Sequence, residues 1–135
     1  REYNALKGII EGPPEETPGW HSGEIETATC LAYDETCVDM SKAVQDRTHA
    51  PKWMGAAFSK KDGSGMVEFM GTEQAWVPME HQEYSDTSTI GNPFRGTKEK
   101  GLKYFEHSAN HLAAFLEEVK KFPIKATNRE FNNRA

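Results

Sequence analysis

His21 is the residue of this chain best placed for proton chemistry. It sits in Pro18–Thr27, PGWHSGEIET, where a Pro-Gly turn delivers Trp20 and His21 to the mouth of a helix. Ser22 is a helix N-cap candidate, and Gly23-Glu24-Ile25-Glu26 opens an apolar-periodic run. Glu24 and Glu26 occupy the first turn, where carboxylates suit the positive end of the helix dipole; the same field favours a neutral imidazole at His21. A neutral histidine accepts and returns protons near pH 7, although the local pattern also fits a solvated turn histidine beside a capped helix. His107 and His111 have the four-residue spacing of paired zinc ligands. Relative to Phe105, Ala109 and Leu112, however, both point toward water with no third ligand in range. His81 stands between Glu80 and Glu83 in a segment that can approach a pocket or hold a cation. No Ser/His/Asp order or nucleophile elbow is present, and neither Cys30 nor Cys37 has a setting that activates a thiol.

The elements that must position these groups follow from periodicity and breakers. Glu2–Ile10 reads as a short lead-in helix stopped by Gly12-Pro13-Pro14, and the Pro-rich stretch to Gly19 as an exposed loop. Ile25, Ala28, Thr29 and Ala32 recur at helical spacing from Gly23 to Tyr33, with Cys30 expected in the core. Asp34–Cys37 is a turn, and Val38–Val44 a strand end or short helix. Trp53–Phe58 and Met66–Met70, separated by a glycine-rich turn, read as a hairpin arm, and Gly71–Ser88 as a long ordered loop. Asn92-Pro93 opens the last element, in which Leu102, Phe105, Ala109, Leu112, Leu116 and Val119 mark the face of a long helix that Pro123 ends. Gly101 inside it implies close packing or a late start. The segments are therefore 1–19 lead-in, 20–49 histidine and helix, 50–91 hairpin arm and loop, 92–123 long helix and 124–135 tail.

With 135 residues, 36% of them hydrophobic, the chain is one domain and too short for two. A net charge of −5 argues against nucleic acid and anionic membrane surfaces as partners. No stretch reaches transmembrane length or has a signal-peptide layout. Two cysteines in no metal-ligand spacing suit reduced thiols in a cytoplasmic protein.

His21-Ser22-Gly23-Glu24-Ile25-Glu26-Thr27, then Leu31-Ala32, Val38-Asp39-Met40, Gly91-Asn92-Pro93 and Thr97-Lys98-Glu99-Lys100-Gly101 together resemble the creatininase (creatinine amidohydrolase) family in order and spacing. The resemblance runs from about Trp20 to about Val119 and falls on the carboxy-terminal half of the family pattern. It implies an α/β fold, the carboxy-terminal half of a three-layer α/β/α unit with a hairpin excursion, completed by another chain. It also implies hydrolysis of a C–N bond in a small cyclic or open amide with two divalent metals, zinc with manganese or a second zinc. The family's metal ligands lie in the amino-terminal half of its pattern, and none of those segments is found here. In this chain the resemblance makes His21 the proton shuttle, with Glu26 beside it as an orienting or helix-capping carboxylate rather than a base.

Two departures bear on the substrate. Trp20 replaces an acidic residue, and Gly91-Asn92-Pro93 replaces a Gly-Asp-Pro, so creatinine itself is not assumed. Trp20, Ser22, Trp76 and Tyr84 are candidate substrate contacts. Because the chain opens on Arg1 and lacks the metal-ligand segments, the expectation is one half of a two-chain enzyme. A complementary amino-terminal-half chain, made by precursor cleavage or from a separate gene, would then hold most of the metal, and the family's hexameric assembly is expected. The alternative is a non-catalytic subunit that keeps the half-fold as an assembly or binding surface. A small metal site built from His81 or from His107 and His111 is the weakest reading.

Overall fold

The computed structural model describes residues 6–13, 21–60 and 64–123. Two crossed helices form its frame. Helix α1 spans Glu24–Tyr33 and opens at Gly23, which adopts extended backbone and caps without a side-chain hydrogen bond. The expected Ser22 cap is thus displaced by one residue. Asp34 ends the helix in extended conformation, and its carboxylate accepts the Thr36 amide at 2.9 Å to start a short 3-10 turn, Glu35–Cys37. A second such turn, Met40–Lys42, is capped by Asp39.

The long carboxy-terminal helix, named α3 below, spans Lys98–Val119 and is capped by the Thr97 hydroxyl, which accepts from the Lys100 amide. A 3-10 turn, Pro93–Arg95, precedes it, capped by Asn92. Its crossing with α1 is set at Gly101. A Cβ there would overlap the Ala28 carbonyl and lie 2.6 Å from the Ala32 Cβ, so the two backbones touch directly. Ile25 and Ala28 are buried on the α1 side of this contact. Cys30, two positions beyond Ala28 and so on the opposite side of α1, is exposed rather than in the core.

Beneath the crossing lies a buried ion pair. The Lys100 ammonium meets the Glu24 carboxylate at 2.7 Å, with Glu24 only 1% exposed. The same carboxylate accepts the Glu11 amide at 3.0 Å and the Gly12 amide at 2.8 Å, and Lys100 also donates to the Arg95 carbonyl at 2.8 Å. Residues 11–12, α1 and the entry to α3 are joined at one point.

Between the helices the chain forms a three-stranded antiparallel sheet, β1 Phe58–Ser59, β2 Met66–Phe69 and β3 Thr72–Trp76, in that spatial order. Phe58 pairs with Phe69 and Met66 with Trp76, with a bulge between Val67 and Glu68. A one-turn helix, α2, follows at His81–Tyr84. The described residues therefore mix helices with an antiparallel sheet.

Several sequence expectations are corrected here. The expected arm Trp53–Phe58 pairs only from Phe58 onward, because Pro51 and Gly55 (φ 77°) bracket a 3-10 turn at Lys52–Met54. Gly71–Ser88 is not a loop throughout: Met70 and Gly71 both adopt positive φ, 50° and 81°, which makes the tight turn that returns the chain into β3. Leu6–Ile10 is a turn in which Ile9 and Ile10 donate to the Leu6 carbonyl, not the end of a helix. The largest correction concerns α3: Leu102, Phe105, Leu112, Phe115 and Leu116 are exposed, and the face that meets α1 carries Gly101. His107, expected in water, is half-buried and borders a groove of about 530 Å³ with Leu6 and Tyr104. Trp20, residues 61–63 of the expected glycine-rich turn and the expected tail 124–135 lie outside the described residues. No helix among the described residues is long and apolar enough to cross a membrane.

Removing one member of a buried ion pair leaves a charge without a partner. Lys100→Met is expected to lower unfolding stability by about 3 kcal/mol in urea titration. Lys120→Ala, which breaks an exposed pair with Glu117, is expected to cost about 0.5 kcal/mol or less. Equal losses for the two variants would show that the Glu24–Lys100 pair does not hold the helices together.

Candidate functional site

His21 and Ser22 enter α1 through two consecutive left-handed residues, φ 64° and 60°. Each such residue costs about 1–2 kcal/mol when it carries a Cβ, so the turn persists only where neighbours hold it. Three contacts do. The Ser22 amide donates to Glu26 Oε2 at 2.7 Å, the Thr27 hydroxyl donates to the Ser22 carbonyl at 3.1 Å, and the Ile90 amide donates to the His21 carbonyl at 2.8 Å. Glu26, one turn into the helix, thus ties back to the histidine turn through the Ser22 amide.

The imidazole of His21 is half-buried against His81, with ring centroids 4.3 Å apart in an edge-to-face arrangement. His81 begins α2, whose single turn is framed by a reciprocal capping box between Glu80 and Glu83. Glu83 also accepts the Trp53 indole N–H at 2.8 Å. One turn on, the Tyr84 hydroxyl lies 3.3 Å from His81 Nδ1, and the Lys60 ammonium lies 4.5 Å above the Tyr84 ring. Tyr84 and Lys60 are both buried, and Lys60 Nζ donates to the Ser64 carbonyl. The sequence flagged His81 for its flanking acids but did not pair it with His21. Lys60 was missed altogether, since a lysine in a turn region reads as a solvated charge.

Burial of the His21 ring, with the nearby His81 adding to it, pushes the His21 pKa below the ordinary histidine value; Glu26 opposes in part. The direction is the one expected from the sequence, but its causes are desolvation and a second imidazole rather than the helix field.

Two grooves adjoin these residues. One, of about 360 Å³, is bordered by Ser22, Glu26, Thr27, Val38, Asp39 and Pro93, so it gathers the histidine segment, the Val-Asp-Met segment and the Asn-Pro turn. The other, of about 260 Å³, is bordered by Trp76, Pro78, Met79 and Tyr84. Trp76 lies over Gly65, where a Cβ would strike the indole, and stays mostly exposed. Of the expected substrate contacts, Ser22 faces the first groove while Trp76 and Tyr84 share the second, with Tyr84 bridging to His81.

The donor set does not by itself fit a resident divalent metal. No group of three or more His, Cys, Asp or Glu side chains among the described residues converges on a point. His107 and His111 stack with centroids 6.2 Å apart and an interplanar angle of 19°.

If Glu26 orients the turn, Glu26→Ala removes the carboxylate that accepts the Ser22 amide and is expected to cost about 1 kcal/mol of stability. Glu26→Gln keeps an acceptor oxygen and is expected to restore most of it. Denaturant titration of the two variants checks this, and equal losses would refute an orienting role.

A family model described as creatinine amidohydrolase matches residues 4–116, a span that takes in α1, the sheet, α2 and most of α3. No curated protein and no solved structure matches the chain. With the greater part of its length covered by that one model, the chain belongs to the creatininase family.

Proposed function

We propose that this chain provides the proton-transferring wall of an amidohydrolase that cleaves a C–N bond in a small molecule, with His21 as the shuttle. The observation that carries the reading is that Ser22, Glu26 and Thr27, then Val38, Asp39 and Met40, and Pro93, from three segments on which the family resemblance is read, border one groove beside the His21 turn. A half-buried imidazole biased toward its neutral form supports it, because a base must be unprotonated at working pH to accept a proton. Water attacks the scissile carbonyl carbon, its proton passes to His21, the C–N bond breaks, and His21 returns the proton to the departing nitrogen. Glu26 holds the Ser22 amide and thereby the aim of the imidazole. Trp76 and Tyr84, with Ser22 and Trp20, are proposed to contact the substrate.

Members of this family are generally metal-dependent. The divalent ions, zinc with manganese or a second zinc, are proposed to be held mainly by a complementary amino-terminal-half polypeptide, and no step above is routed through them. The exposed row Leu102, Phe105, Leu112, Phe115 and Leu116 supports completion by further polypeptide, since an apolar stripe of this length is a poor surface to leave in water. The same row suits a non-catalytic assembly subunit. A hexamer of the completed unit is the proposed assembly.

In the assembled enzyme, His21→Ala is expected to lower kcat by about 100-fold or more on small cyclic amides, with an unchanged native mass spectrum. Full turnover in that variant would leave the assembly-subunit reading standing. The pH profile has a defined sign. His21 is active when neutral and its pKa lies below the ordinary value of about 6.5, so the acid limb of kcat/KM is expected below pH 6.5. Folding stability follows the same direction. Above the ordinary value both folded and unfolded states carry neutral His21. As pH falls past it, the unfolded chain takes up the proton first, so the His21 contribution to stability declines with acidification.

A further inference from the structure

Outside the groove chemistry, His81 is a half-buried histidine whose position nothing in the reaction above uses. A residue there only to pack would have no need of two ring nitrogens. Instead Nδ1 is engaged by the Tyr84 hydroxyl at 3.3 Å, while Nε2 is buried and has no hydrogen-bond partner among the described residues. The ring is also firmly aimed. The Glu80–Glu83 capping box fixes the turn that carries it, the Trp53 indole ties down Glu83, and Tyr84 is buried beneath the Lys60 ammonium with its carbonyl accepting the His49 amide. What it is aimed at is His21, whose own backbone is held from the other side by Ile90.

Resting on the shuttle reading of His21, we propose that His81 is the positioning residue of this site: fixed at Nδ1 by the Tyr84 hydroxyl, it meets the His21 ring edge to face and governs whether His21 carries a proton. Two imidazoles this close repel when both are cationic, so the His81 ring helps hold the His21 pKa down. Among the described residues, the charged and titratable groups that shift His21 are His81 from α2 and Glu26 from α1, which pull in opposite directions. Tyr84 and Lys60 face His81 from behind. The consequence for the reaction is a base that stays available in mildly acidic solution and gives its proton up readily.

The test is a pH titration of the imidazole resonances by NMR on the intact protein. In the wild type the His21 midpoint is expected below that of a free histidine. His81→Phe keeps an aromatic ring against His21 and removes both nitrogens, and the His21 midpoint is expected to move upward toward the free value. Tyr84→Phe deletes a single oxygen, leaves the buried ring in place, and carries the test if His81→Phe does not fold; releasing Nδ1 is expected to move the His21 midpoint in the same direction by a smaller amount. In the assembled enzyme the acid limb of kcat/KM is expected to follow the NMR midpoint in each variant, a shift that a packing defect would not produce. A His21 midpoint identical to wild type in every variant that folds would overturn the proposal, as would a wild-type His21 that titrates like a free histidine. The titration needs no substrate. It therefore reads the histidine pair even if the hydrolase assignment fails, whereas activity in His21→Ala tests that assignment alone.

Discussion

A carboxylate taken almost wholly out of water, and the ammonium that neutralises it, set the terms for the rest of this molecule. Glu24 belongs to the histidine segment and Lys100 to the segment that opens α3, so one buried pair joins two of the segments on which the family resemblance is read. Desolvating both charges costs several kcal/mol for each ion, and the cost is offset only because the pair is further satisfied. Glu24 takes two backbone amides and Lys100 one carbonyl. A slide or rotation of α3 would carry the Lys100 ammonium away from Glu24 and leave both charges in the interior without each other. Gly101, next to Lys100, completes the constraint by letting the helix backbones touch at the depth where the ammonium reaches its carboxylate.

That constraint reaches the candidate site through a very short lever. Only Ser22 and Gly23 separate His21 from Glu24, and the turn is bent through left-handed backbone that no local preference favours. Locking Glu24 fixes the far end of the turn, Glu26 and Thr27 fix its middle, and Ile90 fixes its beginning. The imidazole is therefore positioned by the same contacts that assemble the helices, and stability and proton chemistry share their determinants over this stretch.

Much of this was legible in the residues, and what was not has identifiable causes. Helix α1 and α3 stand close to where periodicity and breakers put them, because Ile25, Ala28 and Ala32, and the apolar row of α3, repeat at 3.6 residues over several turns. The role of Glu24 was hidden because a first-turn glutamate has a sufficient local explanation in the helix dipole, which masks a tertiary one. Periodicity also says which residues share a face without saying which element covers it. The Leu102–Leu116 row was therefore read as core when the close contact with α1 runs through Gly101. Strand β3 was lost because its turn is Met-Gly, where Asn-Gly or Asp-Gly would have announced a hairpin. The His21–His81 contact has no linear signature at all, since the two residues meet only through the path of the chain around the sheet.

The grip on His21 from the Ile90 side is made by main-chain atoms. Ile90 offers its amide to the His21 carbonyl, and Gly91 next to it exchanges both of its main-chain hydrogen bonds with Asp46. A bond of this kind does not depend on which side chain the donor carries. Position 90 can drift among apolar residues that fill the same buried space without moving the histidine, whereas proline, which has no amide hydrogen, would release it. Relatives could thus differ widely in this stretch and still aim the same imidazole in the same direction, so the part of the site that is hardest to recognise in an alignment can be among the most faithfully kept in space.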